Sequence, residues 1–221
     1  MQADLDRDLV YCRQFLARYG HDPGRLKARP AGDSGYNRLT GAVLVAGDKT
    51  DEIDRYETVA HEVGHRLTDR AAGWGGLLYV GASGTLAEGL SETISAAAVA
   101  ERFGEEVGLS RLNPNHKTLP MTFFGEVPIP THKSQISWKY LDDLGGVHLN
   151  CGIVRQAHLN LAQNLGMSAM AGLVLQTVPE LKPWSTPTSF ARASRDCALR
   201  QGDAHGAQAI EEAWNSVGIR I

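Results

Sequence analysis

The sequence predicts an α+β fold, mostly helical, with a small strand-containing amino-terminal part, and three observations predict it. The run His61-Glu62-Val63-Gly64-His65 sets two histidines four residues apart, a spacing that places both on one face of a helix. The Ala- and Leu-rich segment 84–100 repeats its apolar residues at helical spacing. Gly41-Ala42-Val43-Leu44-Val45-Ala46-Gly47-Asp48 is an apolar run closed by Gly at both ends, the clearest strand in the chain.

Taken in order, residues 3–19 carry helical spacing, with Leu5, Leu9, Phe15 and Leu16 available for one face. Residues 21–36 hold Pro23, Gly24, Pro30, Gly32 and Gly35 and read as loop. The strand at 41–48 follows, then a helix over 54–70 that bears the histidine pair, then the helix over 84–100. Residues 103–140, with Pro114, Pro120, Pro128 and Pro130, read as irregular, and His116 and His132 within them are expected to be solvated rather than ligands. Residues 151–176 read as a buried helix pair broken near Gly166. No internal repeat or low-complexity tract appears.

At 221 residues the chain makes one large domain or two small lobes, long enough to bury a core. A net charge of −3 supplies no electrostatic reason to expect nucleic acid or an anionic membrane as partner. No apolar run reaches the length needed to span a bilayer. The first residues are acidic and lack an apolar stretch, so a signal peptide is not expected here. Cys12, Cys151 and Cys197 are widely spaced, which is neither a disulfide framework nor a CxxC metal pair; free, buried thiols are expected.

The chemistry starts at the histidine pair. Two imidazoles on one helix face can bind one metal ion, and Glu62 then sits beside the water that such a metal activates. Zinc suits the site, because it takes nitrogen and oxygen ligands tetrahedrally and leaves a corner open. A third ligand is needed. Glu88 and Glu92, four apart on the next helix, compete for it: one carboxylate can bind the metal while the other accepts the N–H of a ligand histidine. Spacing alone does not separate them. Further on, Asp143 precedes His148 by five residues across Gly145-Gly146. Amide hydrolysis builds negative charge on the former carbonyl oxygen, which a positioned imidazolium stabilises. A carboxylate on the other ring nitrogen would set its tautomer and keep it protonated.

These three segments, HEVGH at 61–65, SGTLAEGLSE at 83–92 and DDLGGVHLNCG at 142–152, resemble the thermolysin-like zinc metallopeptidases of the gluzincin type, and EGLSE is similar to the related fungalysins. The resemblance implies a zincin-like catalytic domain with a shortened N-terminal lobe at 1–60, a helical lobe at 61–221, and zinc between them. It implies His61, His65 and Glu88 as zinc ligands, Glu62 as general base and Glu92 as the carboxylate behind a ligand histidine. It implies His148 and Tyr79 as donors to the oxyanion, with Asp143 orienting His148. The strand at 41–48 would lie along the cleft and pair with extended substrate. Residues 190–194 and 210–219 resemble the last helices of these enzymes. The activity implied is that of a zinc endopeptidase acting on peptide or protein, secreted or delivered outside the producing cell, with an inhibitor or propeptide as further partner.

The chain also departs from the family. Sixty residues precede His61, too few for the relatives' whole β-rich N-terminal domain. Leu144 replaces an Asn and Cys151 a Ser, and the longer gap between His65 and Glu88 suggests an enlarged loop around 73–76. The stretch Thr93–Ala100 lacks the acidic residue of a calcium site, which speaks against calcium dependence. Arg111 is the best counterpart of the family's substrate-gripping Arg, with ordinary surface as its other reading. Thr58 stands where the family's apolar specificity pocket usually has Val. A metzincin is excluded, since Thr68 and Ala71 occupy its Gly and third His positions; a gluzincin aminopeptidase lacks its G-x-M-E-N motif here. Two other readings stay open: an effector or toxin protease with a single substrate, and a non-catalytic binding module on the same shell.

Overall fold

The structure is a computed structural model that describes every residue except 74, 116, 122–123 and 139–140, and no side chain at 142. The chain opens with helix α1 (Gln2–Arg18), which turns Leu5, Leu9, Cys12, Phe15 and Leu16 inward, as their spacing requires. Strands β1 (Lys27–Ala31), β2 (Gly35–Asn37) and β3 (Ala42–Ala46) follow and form one sheet in the order β1-β3-β2. β3 runs parallel to β1, pairing Lys27 with Ala42, and antiparallel to β2, pairing Tyr36 with Val43.

Two expectations need correcting here. Residues 21–36 are not all loop, since they hold β1 and most of β2. Pro30, Gly32 and Gly35 hide these strands from periodicity, yet edge strands tolerate Pro because one row of their backbone groups needs no partner. The strand at 41–48 was also expected to offer an edge to substrate. β3 has neither edge free, being flanked on both sides, and it is an ordinary half-buried strand with Val43 and Val45 in the core. The edge beside the cleft belongs to β2.

Helix α2 (Glu52–Ala72) starts at Asp51, whose carboxylate accepts from the backbone N–H of Ile53 and Asp54. Helix α3 (Gly81–Phe103) is buried on nearly all sides between residues 83 and 99. The two cross closely because Gly64 carries no side chain: a Cβ there would stand 2.9 Å from Ser91 Cα. A Cβ at Gly89, further along α3, would stand 2.4 Å from Val154 Cβ on the facing helix α6 (Gly152–Leu165). α3 is thus the central strut of the molecule.

Residues 103–140 are more ordered than their prolines suggest. They contain helix α4 (Glu105–Leu112) and the antiparallel pair β4 (Thr118–Met121) and β5 (Gly125–Pro128). A two-stranded ribbon leaves both outer edges unpaired, which is where Pro120 and Pro128 are tolerated. His132 is exposed and its ring caps a short 3₁₀ turn through Ser134; His116 lies outside the described residues.

Helix α5 (Val147–Asn150), then α6, α7 (Met167–Thr177), α8 (Pro187–Arg200) and α9 (Ala204–Ser216) complete the chain, with the break between α6 and α7 at Gly166. Trp214 of α9 is fully buried. One hydrophobic cluster runs from Leu5 to Ile219, and α2 continues unbroken through residue 60. Cys12, Cys151 and Cys197 are free and buried. No described helix is long and apolar enough to cross a membrane.

Candidate metal centre

His61 and His65 lie one turn apart on α2, with Glu62 between them. α3 brings Glu88 against that face. The Nε2 atoms of His61 and His65 are 3.0 Å apart, Glu88 Oε2 is 3.4 Å from His61 Nε2, and Glu88 Oε1 is 3.3 Å from His65 Nε2. Ligands on a tetrahedral zinc with bonds of about 2.0–2.1 Å stand about 3.3 Å from one another, close to the spacing between each histidine Nε2 and its nearer Glu88 oxygen. Among the described residues this is the group of His, Cys, Asp and Glu side chains able to hold a metal ion. Two imidazoles and one carboxylate, with no thiolate, are a donor set that suits catalytic zinc.

The electrostatics fit a cation site. Burial alone would raise the Glu88 carboxyl, but His65 and His61 hold it well below the usual carboxylate range. Burial pulls the His61 imidazole down; Glu88 and then Glu92 outweigh it and push it up to about 10. A buried carboxylate beside two bases is thus balanced by positive charge, which a divalent ion would supply instead. Glu92, expected to accept the N–H of a ligand histidine, lies 3.9 Å from His61 Nδ1. It is a charge neighbour there, beyond hydrogen-bond length.

Around the ligands lies a cleft of about 410 Å³, lined by Glu62, Tyr79 and His148 and by Gly35 and Tyr36 of β2. Burial raises the Glu62 carboxyl above its ordinary range, against the pull of His61 and His65. Tyr79 enters from the loop before α3; its hydroxyl donates to Glu88 and lies 3.0 Å from His148 Nε2. Burial and then Glu88 raise the phenol, so it remains a donor.

His148 projects from α5 and is half exposed. Its Nδ1 is 2.5 Å from Asp143 Oδ1, and Asp143 also accepts from the backbone N–H of His148 and Leu149. That contact raises the imidazole above its ordinary value in spite of partial burial. The turn that delivers it is left-handed at Leu144, Gly145 and Gly146, with φ of 49°, 87° and 79°. Asn150, wholly buried, donates to the carbonyls of Ser137 and Gly145 and pins the turn in place. His61, Glu62, His65, Tyr79, Glu88 and His148 therefore line one cleft, Asp143 stands behind His148, and Glu92 lines a neighbouring cavity.

One lining residue had no signal in the sequence. Arg38, just after β2, ion-pairs with Asp69 at 2.8 Å, donates to the carbonyls of Gly75 and Leu77, and sits 5.8 Å from the centre of the Tyr79 ring. It ties Gly75 and Leu77 to α2; Trp74, in the loop expected at 73–76, lies outside the described residues. Only the folded chain brings residues 38, 69 and 79 together. Arg111, on α4, is not simple surface: its Nη1 lies 2.7 Å from Asp54 and 2.9 Å from Glu57, beside a second cavity.

A helix pair holding a His-His-Glu group beside a small sheet defines a thermolysin-like fold, and comparison with known proteins agrees. The chain is similar to the extracellular metalloprotease of Pectobacterium carotovorum subsp. carotovorum, at 26% identity over 82% of this chain and 59% of that protein. It is similar to the neutral protease NprE of Bacillus pumilus, at 26% identity over 81% of this chain and 61% of that one. It also matches the extracellular elastase of Staphylococcus epidermidis, at 29% identity over 74% of this chain and 32% of the other. Among solved structures, the precursor of protealysin, a metalloproteinase from Serratia proteamaculans, superposes with a TM-score of 0.78 at 20% identity, covering 98% of this chain and 78% of that one. No protein-family profile matches the chain. The chain shares the fold of the protealysin precursor, which is thermolysin-like, and its sequence is similar to those of bacterial metalloproteases. It spans about 59% and 61% of the first two relatives and a third of others.

Proposed function

We propose that this chain is a zinc endopeptidase in which His61, His65 and Glu88 hold the metal and Glu62 is the general base. The observation that carries the reading is the meeting of two imidazoles and one carboxylate from two helices, each histidine Nε2 within 3.3–3.4 Å of one Glu88 oxygen and the two Nε2 atoms 3.0 Å apart, in a cleft that also presents Glu62, Tyr79 and His148. Zinc bound there would polarise the scissile carbonyl and make a water acidic enough to lose a proton near neutral pH.

The chain's own groups do the rest. Glu62, its carboxyl raised by burial, accepts that proton and returns it to the leaving nitrogen. His148, kept cationic by Asp143, and the Tyr79 hydroxyl donate to the oxygen that gains negative charge. The outer edge of β2 offers unpaired backbone groups to an extended peptide, which aligns the scissile bond. The substrate is peptide or protein. The extracellular relatives support a place outside the producing cell, and the protealysin precursor supports a propeptide as a further partner.

The test is direct. Glu62→Gln should hold about one zinc per chain yet lose at least about 10²-fold in casein or peptide turnover, the usual scale for general-base loss. Full activity in that variant, or activity untouched by a zinc chelator, would remove the mechanism.

A further inference from the structure

Arg38 lines the cleft, yet all three nitrogens of its guanidinium are engaged by the protein itself. Nε pairs with Asp69 Oδ2 at 2.8 Å, while Nη1 and Nη2 donate to the carbonyls of Gly75 and Leu77, each at 3.2 Å. A planar fork of this kind fixes its partners in direction as well as in distance. Its mount is equally fixed. Arg38 opens the turn between β2 and β3, where Asn37 Oδ1 accepts from the N–H of Leu39 and Thr40. The Asn37 carbonyl accepts from Gly41 in the same turn.

Asp69 stands one turn after His65 on α2, and its side chain is 11% exposed. Burial raises that carboxyl, and Arg38 is the strongest pull against it. The segment leading to Tyr79 passes so near that a Cβ on Gly76 would stand 2.2 Å from Asp69 Oδ1. Gly76 also has a φ of 75°, in the region that favours glycine. The edge strand, the metal-bearing helix and the approach to Tyr79 therefore meet at one guanidinium. Two residues past Leu77, the Tyr79 ring lies 5.8 Å from the guanidinium carbon, within reach of a cation–π attraction. From the far side, Leu78 N–H donates to the Pro183 carbonyl and Gly81 N–H to the carbonyl of Leu144, in the turn that delivers His148. Tyr79 is thus held from two sides, and Arg38 supplies one of them.

We infer that Arg38 is a positioning residue, bracing residues 75–79 so that the Tyr79 hydroxyl stays beside His148 in the cleft. The inference rests on the peptidase reading, in which Tyr79 donates to the oxyanion. A misplacement of about 1 Å in such a group can cost about 10²-fold in rate. A partly exposed ion pair adds little to stability by comparison. Turnover should therefore suffer more than folding.

The test is a double-mutant cycle on zinc-loaded protein, with peptide kinetics and zinc content measured together. Tyr79→Phe should lower kcat about 10²-fold, the scale for loss of one oxyanion donor. Arg38→Met alone should lower kcat about tenfold, with KM and zinc content close to the parent's. On the Tyr79→Phe background the same change should cost less than about twofold, because the hydroxyl it positions is gone. Asp69→Asn keeps the side chain's shape and should reproduce the Arg38 loss, which serves where Arg38→Met folds poorly. Backbone hydrogen exchange over residues 75–81 should also speed up in Arg38→Met, with or without zinc. Equal losses on both backgrounds, a loss confined to KM, or unchanged exchange at 75–81 overturns the brace and leaves the peptidase intact. A zinc-loaded parent that cuts no peptide overturns the peptidase reading and the kinetic role of Arg38 together.

Discussion

Leu144 has the one positive φ recorded outside glycine among the described residues, at 49°. A β-carbon in the left-handed region costs about 1 kcal/mol, and Asn bears it more easily than Leu. The family's Asn at this position is therefore a matter of backbone shape rather than chemistry. Leu144→Asn should raise stability by about 0.5–1 kcal/mol, read as a higher midpoint in urea; an unchanged or lower midpoint would contradict the strain. Next door, Asp143 sets the charge on His148. A raised imidazole pKa keeps the ring protonated up to higher pH, and the cationic donor is lost as pH rises through that value. Asp143→Asn removes the raising influence, so the alkaline limb of kcat/KM should move to lower pH. If the limb stays in place, His148 is not the group that titrates there.

The crossing of α2 and α3 decides whether a metal site exists. Gly64 lies within the histidine motif, and a methyl group there would meet the backbone of Ser91. Backbone cannot give way as a flexible side chain does. Gly64→Ala should cost about 1–3 kcal/mol by overpacking and should also weaken zinc affinity, because Glu88 moves away from both imidazoles. Measured zinc affinity equal to that of the parent would mean the helices can cross without this contact. The histidine motif made α2 legible, and Ala/Leu composition with helical spacing made α3 so. β1, β2 and the β4–β5 ribbon were not legible: each is five residues or fewer, carries Pro or Gly, and alternates poorly. Short strands are specified by their neighbours, not by their own pattern.

Across the whole molecule, α1 is tied to the metal-bearing helices by a buried ionic knot. Asp8 is wholly buried; it accepts from Arg55 Nε of α2 at 2.8 Å and from Arg102 Nη1 of α3 at 2.9 Å. Arg102 also stacks against the rings of Tyr11 and Tyr56. Removing one partner strands the other charge in the core, so Asp8→Ala should destabilise the fold by about 3 kcal/mol in chemical denaturation. A loss below about 1 kcal/mol would show that water or a neighbour replaces the carboxylate. Nothing in the order of residues 8, 55 and 102 announced this arrangement, because ordinary patterning puts all three charges on the surface.

The sequence by itself determined which side chains share a face: His61 with His65, Glu88 with Glu92, and Asp143 within reach of His148 across two glycines. Those relations are local, set by helical pitch and turn length, and they survive whatever the rest of the chain does. Spacing left open which glutamate meets the histidines, and the family resemblance pointed to Glu88; tertiary structure alone decided which strand presents an open edge to the cleft, and that charged groups from α2, α3 and α4 gather around the neighbouring cavity. Such choices depend on how helices cross and how closely they approach, and packing between distant segments sets both.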